Sequence, residues 1–242
     1  MIALFTDFGV EGPYVGQVKA VLLGMAPGVP VVDLMADAPA CDPRRAGYLL
    51  AALAPEMPAG AVLLCVVDPG VGTQRTPMVA EMDGRLLVGP DNGLFKPLSR
   101  RASVTRFWEI TWRPQRLSAS FHGRDLFAPV AARLASGMVP EAAGCRPYIP
   151  GARPDWPDDL AEIVYVDRFG NAMSGLRAAA LAPRARLLAG GRELPRARTF
   201  GDVPAGEAFW YENSCGLAEV AVNGGSAARV LALDVGAPVT VA

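Results

Sequence analysis

The sequence predicts an α/β domain with a central, largely parallel sheet, followed by a smaller all-β barrel domain. Three observations lead there. Up to about residue 70, short apolar runs alternate with helix-period segments, as in β-α-β-α-β units. The stretch 146–157 then carries four prolines and reads as a linker. Beyond it, helical periodicity fades into brief apolar runs separated by Gly-rich turns. The predicted boundaries are 1–150 for the first domain, 146–157 for the linker and 158–242 for the second domain.

Residues 2–5 form an apolar run that ends at Thr6, Asp7 and Gly9, as a buried strand with a polar tip would. Residues 14–24 are helix-like, with Val15, Val18 and Leu22 on one face. A strand follows at 29–35. Asp42-Pro43 suits an N-cap and first helical position for a helix to about residue 54. The run 62–67 is a third strand, closed by Asp68-Pro69-Gly70. Asp83-Gly84 between apolar runs 78–82 and 85–88 signals a hairpin. Asp91-Asn92-Gly93 marks a turn, 104–110 a strand, and a helix is expected from near Asp125, with Pro129 in its first turn and Gly137 at its end. In the second domain, strands are expected at 163–167, 185–188, 208–211, 218–222 and 230–234.

Composition narrows the function. The chain has 242 residues, 51% of them hydrophobic and 19% charged, with a formal net charge of -1. This is a globular composition without the basic excess that phosphate-gripping nucleic-acid binders carry. The four cysteines are far apart and form no C-x-x-C pair, which argues against a zinc or disulfide framework. Cys65 reads as a small buried hydrophobe. No leader-like or membrane-length apolar segment occurs, so a cytoplasmic protein without membrane association is expected.

Ligands in open α/β sheets gather beyond the C-terminal ends of strands, and Asp7 and Asp68 stand at two such ends. Capping or turn formation explains such aspartates equally well. Arg75 follows Asp68 across the turn Pro69-Gly70-Val71-Gly72-Thr73, which can fold it back onto the carboxylate, either as a bracing ion pair or as part of a site. His122, the single histidine, sits in Phe121-His122-Gly123-Arg124-Asp125 just before a helix start. Alone it cannot build a multi-histidine metal centre, and a carboxylate magnesium site is the remaining metal alternative. In the second domain, Asp167-Arg168-Phe169-Gly170-Asn171 and Asn213-Ser214-Cys215-Gly216 are polar turns with exposed amides.

Six segments in order resemble the S-adenosylmethionine (SAM) hydroxide adenosyltransferases, hydrolytic relatives of fluorinase and chlorinase. They are TDFG at 6–9, VDPGVGT at 67–73 with Arg75, GPDNGL at 89–94, FHGRD at 121–125, DRFGN at 167–171 and NSCGLAEVAVNGGSA at 213–227. The resemblance implies hydrolysis of SAM to adenosine and L-methionine, with Asp68, Arg75 and His122 as the catalytic set. It implies that Asp7 binds the ribose hydroxyls, that Asp167, Asn171 and Ser214 hold the methionine end, and that Phe169 and Phe200 contact the nucleoside. Backbone from Val222 to Gly224 would meet the adenine edge. It further implies a homotrimer whose active site lies at the subunit interface, and no cofactor or metal. The alternatives are a halide-using adenosyltransferase, a non-catalytic SAM- or adenosine-binding protein, and a magnesium-dependent hydrolase.

Overall fold

The computed structural model describes residues 1–151 and 155–242, so Ala152, Arg153 and Pro154 of the expected linker lie outside the described residues. The chain divides into two compact units, Met1–Asp155 and Trp156–Ala242.

The first unit begins with β1 (Ile2–Thr6), α1 (Tyr14–Met25), β2 (Val31–Met35), α2 (Pro43–Leu53) and β3 (Val62–Val66). Every residue of β1 and β3 is buried, as parallel strands covered on both faces require. Pro43 opens α2, and the Asp42 side chain accepts from the Arg45 amide at 3.0 Å, completing the predicted cap. Then come β4 (Pro77–Met82), β5 (Arg85–Pro90), α3 (Lys96–Arg101), β6 (Thr105–Ile110), α4 (Ala128–Ala135) and β7 (Cys145–Pro147). Asp83 and Gly84 both have positive φ at the β4–β5 turn, the conformation a tight hairpin needs.

These strands form one seven-stranded sheet in the order β2-β1-β3-β5-β4-β6-β7. Pairing is parallel from β2 to β5 and antiparallel from β5 to β7. Ile2, Leu4, Val62 and Leu64 share a core with Val18 and Leu22 of α1 and with α4. Alternation turns Ala3, Phe5, Leu63 and Cys65, all essentially buried, to the opposite face. Burial pushes the Cys65 thiol far up, so it is inert packing.

One expectation needs correction in this unit, and two features go beyond what the sequence predicts. Arg146 and Pro147, expected in the linker, belong to β7, where Arg146 pairs with Glu109 in the ladder and by an ion pair at 2.6 Å. The sequence does not predict α3, since six residues offer too little periodicity. The helix near Asp125 is preceded by a π-turn, Gly123–Phe127, directly after His122. Such widened turns concentrate at functional sites.

The second unit contains β8 (Leu160–Val166), β9 (Ala172–Arg177), β10 (Leu187–Ala189), β11 (Arg192–Leu194), β12 (Ala208–Glu212), β13 (Leu217–Val222), α5 (Ala227–Val230) and β14 (Val239–Val241). They form two antiparallel sheets, β12-β13-β9-β8 and β11-β10-β14. Isolated bridges Glu162–Pro238 and Arg196–Trp210 join the two sheets at both sides, closing a small barrel around Trp210, Leu187, Val220 and Ile163. The expected strand at 230–234 is instead the end of α5 and a turn. Ser226 caps α5 by accepting from the Arg229 amide, and Ala232 turns the chain with positive φ, while Leu231 and Leu233 stay buried.

Gly89 of β5 has no room for a side chain: a Cβ there would strike the Cys65 carbonyl and come within 3.1 Å of the Phe95 ring. Gly24, near the end of α1, would meet nothing within 4 Å. Urea unfolding is expected to show Gly89→Ala destabilised by about 1–3 kcal/mol. Gly24→Ala should instead be stabilised by about 0.5–1 kcal/mol.

Candidate active site

Asp7 directly follows β1 and Asp68 stands two residues past β3; the two strands run parallel side by side, so both aspartates stand at the same sheet edge. Together with His122 they line one cavity of about 560 Å³ in the first unit. Arg75 joins them from the loop after Asp68. Its Nε donates to both Asp68 oxygens at 2.9 Å, and its Nη2 donates to Asp68 Oδ2 in a still closer contact. The same Nη2 stands 3.0 Å from Nδ1 of His122, and the guanidinium lies over the Phe127 ring at 5.0 Å. The Asp68 and Arg75 side chains are only 4% and 9% exposed, so this ion pair acts with little screening by water.

The loops are shaped for this meeting. The turn after Asp68 packs on the 118–121 segment so closely that a Cβ on Gly72 would stand 2.5 Å from the Ala119 carbonyl oxygen. Gly123 admits the Phe8 ring, whose Cζ would lie 2.8 Å from an added Cβ. Asp125 accepts from the Ser118 amide at 2.8 Å and pairs with Arg124, which holds the loop before His122.

Arginine has only donors, so His122 Nδ1 accepts from Arg75, and the neutral ring carries its proton on Nε2. Partial burial, and then the nearby Arg75 charge, push the His122 pKa below the ordinary histidine value. Asp7 is shifted upward, chiefly by burial, although Oδ2 accepts from the Cys41 amide at 2.9 Å. Cys41, which supplies that amide, has positive φ.

The second unit gathers another expected set. Asp167, Phe169, Asn171, Phe200, Val222 and Gly224 line one open depression. Asp167 Oδ1 accepts from the Phe169 and Asn171 amides, both at 2.8 Å, and Oδ2 accepts from Asn171 Nδ2 at 3.0 Å. Phe169 is 75% exposed at the tip of this turn, an apolar ring open to a ligand. Ser214 does not line the depression; it lies exposed on the neighbouring turn after β12.

Sequence reasoning missed Phe8, Tyr14 and Phe121, whose rings pack edge-on or tilted at 5.4–6.2 Å along one wall of the first cavity. Phe8 and Phe121 lie inside the polar motifs and were the signal available. Tyr211, missed in the second depression, sits near the end of an ordinary-looking strand. Among the described residues no group of three or more His, Cys, Asp or Glu is arranged to hold a metal ion, and no helix is long and apolar enough to cross a membrane.

Two domain families match this chain in series. Residues 2–144 match the SAM hydroxide adenosyltransferase N-terminal domain, and residues 161–240 match the C-terminal domain of the same family. The chain belongs to the SAM hydroxide adenosyltransferase family. Relatives include (R)-S-adenosyl-L-methionine hydrolases from Thermus thermophilus, 43% identical over 98% of both chains, and from Salinispora arenicola, 40% identical over 97% of this chain and 95% of the relative. A solved conserved protein from Thermotoga maritima superposes with a TM-score of 0.89 at 30% identity, covering 100% of this chain and 99% of that one.

Because the chain has one histidine, its ring-proton NMR signal reports His122 without assignment. Its titration midpoint is expected below about 6.5. A midpoint at or above that value would contradict the Arg75–His122 geometry.

Proposed function

We propose that the protein hydrolyses SAM to adenosine and L-methionine by attack of water or hydroxide at C5′. The observation that carries this reading is the buried Arg75 guanidinium, which joins Asp68 to His122 at a cavity whose adjoining strand end presents Asp7. The names of its relatives support the substrate, and their (R) designation favours the R-configured sulfonium epimer for this chain too.

The sulfonium makes C5′ electrophilic, and methionine leaves as a neutral thioether, so the leaving group needs no acid. The protein's task is to place and deprotonate a water in line with the breaking C5′–S bond. Asp68 Oδ1 shares only one Arg75 N–H and keeps lone-pair capacity to take the water proton. His122, with its proton on Nε2, donates to the water oxygen and orients it. Arg75 holds both groups and stabilises the developing hydroxide. The C5′–O bond forms as C5′–S breaks, the bonding pair leaves on sulfur, and the proton passes from Asp68 to solvent. No metal or cofactor enters.

Asp7 would accept from the ribose hydroxyls. Asp167, Asn171 and Ser214 would hold the methionine end, with Phe169, Phe200 and the backbone from Val222 to Gly224 around the nucleoside. In this reading the enzyme is a cytoplasmic homotrimer, and the second-unit set is supplied by a neighbouring subunit.

Chromatography after incubation with SAM is expected to give adenosine and methionine, unchanged by chloride, fluoride or a chelator. A 5′-halo-adenosine, 5′-methylthioadenosine or loss of activity with chelator would overturn the reading. His122→Ala should lower kcat about 10²-fold with little change in KM, while Asp7→Ala should mainly raise KM. If His122 must stay neutral to accept from Arg75, kcat falls as pH drops through its lowered pKa, so the acid limb lies below about pH 6.5. Inactive His122→Ala and Asp167→Ala proteins, mixed under subunit exchange, should recover about a quarter of wild-type activity by random assembly of a cyclic trimer. No recovery would argue against shared sites.

A further inference from the structure

Glu219 of β13 is a carboxylate buried to 2% exposure, and both donors identified to it are neutral. Tyr211 Oη donates to Oε1 at 2.6 Å, and Asn213 Nδ2 donates to Oε2 at 2.8 Å. Among the described residues no cation contributes to its electrostatics; burying such a carboxylate is costly, and burial accordingly raises its pKa. What it provides is polarity: two acceptor oxygens and no donor.

That polarity decides the orientation of Asn213. With Nδ2 committed to Glu219, Asn213 must turn Oδ1 toward its own turn, where it accepts from the Cys215 and Leu217 amides, both at 3.0 Å. Ser214 sits between these contacts. On the other side, Glu219 ties down the Tyr211 hydroxyl. The Tyr211 ring packs against Phe200 at 5.4 Å and Phe209 at 5.7 Å and lines the same depression as Asp167, Phe169 and Asn171. One buried group thus holds both the Ser214 turn and an aromatic wall, while itself lying outside the depression's lining.

We propose that Glu219 is a positioning residue for the second-unit half of the substrate site, fixing the Ser214 turn through Asn213 and the aromatic wall through Tyr211. The inference rests on the hydrolase reading for its kinetic consequence only; the geometric consequence stands by itself. Glu219→Leu removes both acceptor oxygens and leaves Asn213 Nδ2 and the Tyr211 hydroxyl facing an apolar side chain. Glu219→Gln keeps an acceptor for Asn213: the side-chain carbonyl it introduces accepts from Asn213 Nδ2, and its NH₂ donates to Tyr211 Oη, since a tyrosine hydroxyl accepts as well as donates.

The test is amide hydrogen exchange at Cys215 and Leu217 combined with steady-state kinetics on SAM, using the full chain. In Glu219→Leu, exchange at both amides is expected to speed up, and KM to rise, each by about tenfold, with kcat changed far less. Glu219→Gln is expected to keep both quantities near wild type. Unchanged exchange and KM in Glu219→Leu, or a Glu219→Gln variant no better than Glu219→Leu, would overturn the proposal. Should Glu219→Leu fail to fold, a folded Glu219→Gln variant with protected amides supports it, and an equally unstable Glu219→Gln variant overturns it. If the wild-type protein does not turn over SAM, that failure falls on the hydrolase reading, and the exchange measurement alone decides the role of Glu219.

Discussion

The contact on which the site depends is the Arg75 guanidinium, held between the Asp68 carboxylate, His122 Nδ1 and the face of Phe127. Three segments converge there: the end of β3, the loop after it, and the turn leading into α4. A pair this buried makes demands on its surroundings. Removing one partner strands a charge in a poorly solvated place, at a cost of about 3–5 kcal/mol. The same contact sets the chemistry, because an arginine that only donates leaves His122 neutral and fixes which ring nitrogen bears the proton.

The rest of the first unit serves this convergence. Parallel pairing of β1 with β3 brings Asp7 and Asp68 to one edge, and full burial of both strands fixes their register. Absent side chains matter as much as present ones. Gly123 leaves space for Phe8, and Gly72 lets the loop after Asp68 lie against the segment that carries His122. The second unit works differently: its polar turns are organised from within, by Asp167 on one loop and by Glu219 through Asn213 on another.

The parallel half of the sheet was readable because fully buried strands appear as uninterrupted apolar runs, and the Asp42-Pro43 cap because it is purely local. The hairpin at Asp83-Gly84 was readable for the same reason. Closure of the barrel was not, since bridges such as Arg196–Trp210 join residues with no shared local signal. The misread strand at 230–234 shows the limit of apolar patterning: Leu231 and Leu233 are buried, yet Ser226 and Ala232 make the segment a capped turn of helix and a bend. At the site, Asp68, Arg75 and His122 could be named from their motifs, but the arginine bridge between Asp68 and His122 required coordinates. The edge-on ring packing of the aromatic wall carried no motif of its own. Glu219 stands in an otherwise apolar strand, and no local signal there shows that its carboxylate reaches both Asn213 and Tyr211.

The proposed mechanism turns on solvent displacing methionine at C5′ beside the Arg75 bridge. Turnover of SAM in oxygen-18 water tests it most directly, with mass spectrometry of the isolated adenosine. One heavy oxygen per product molecule is expected, located at the 5′-hydroxyl. Adenosine formed without that label would rule out displacement by solvent.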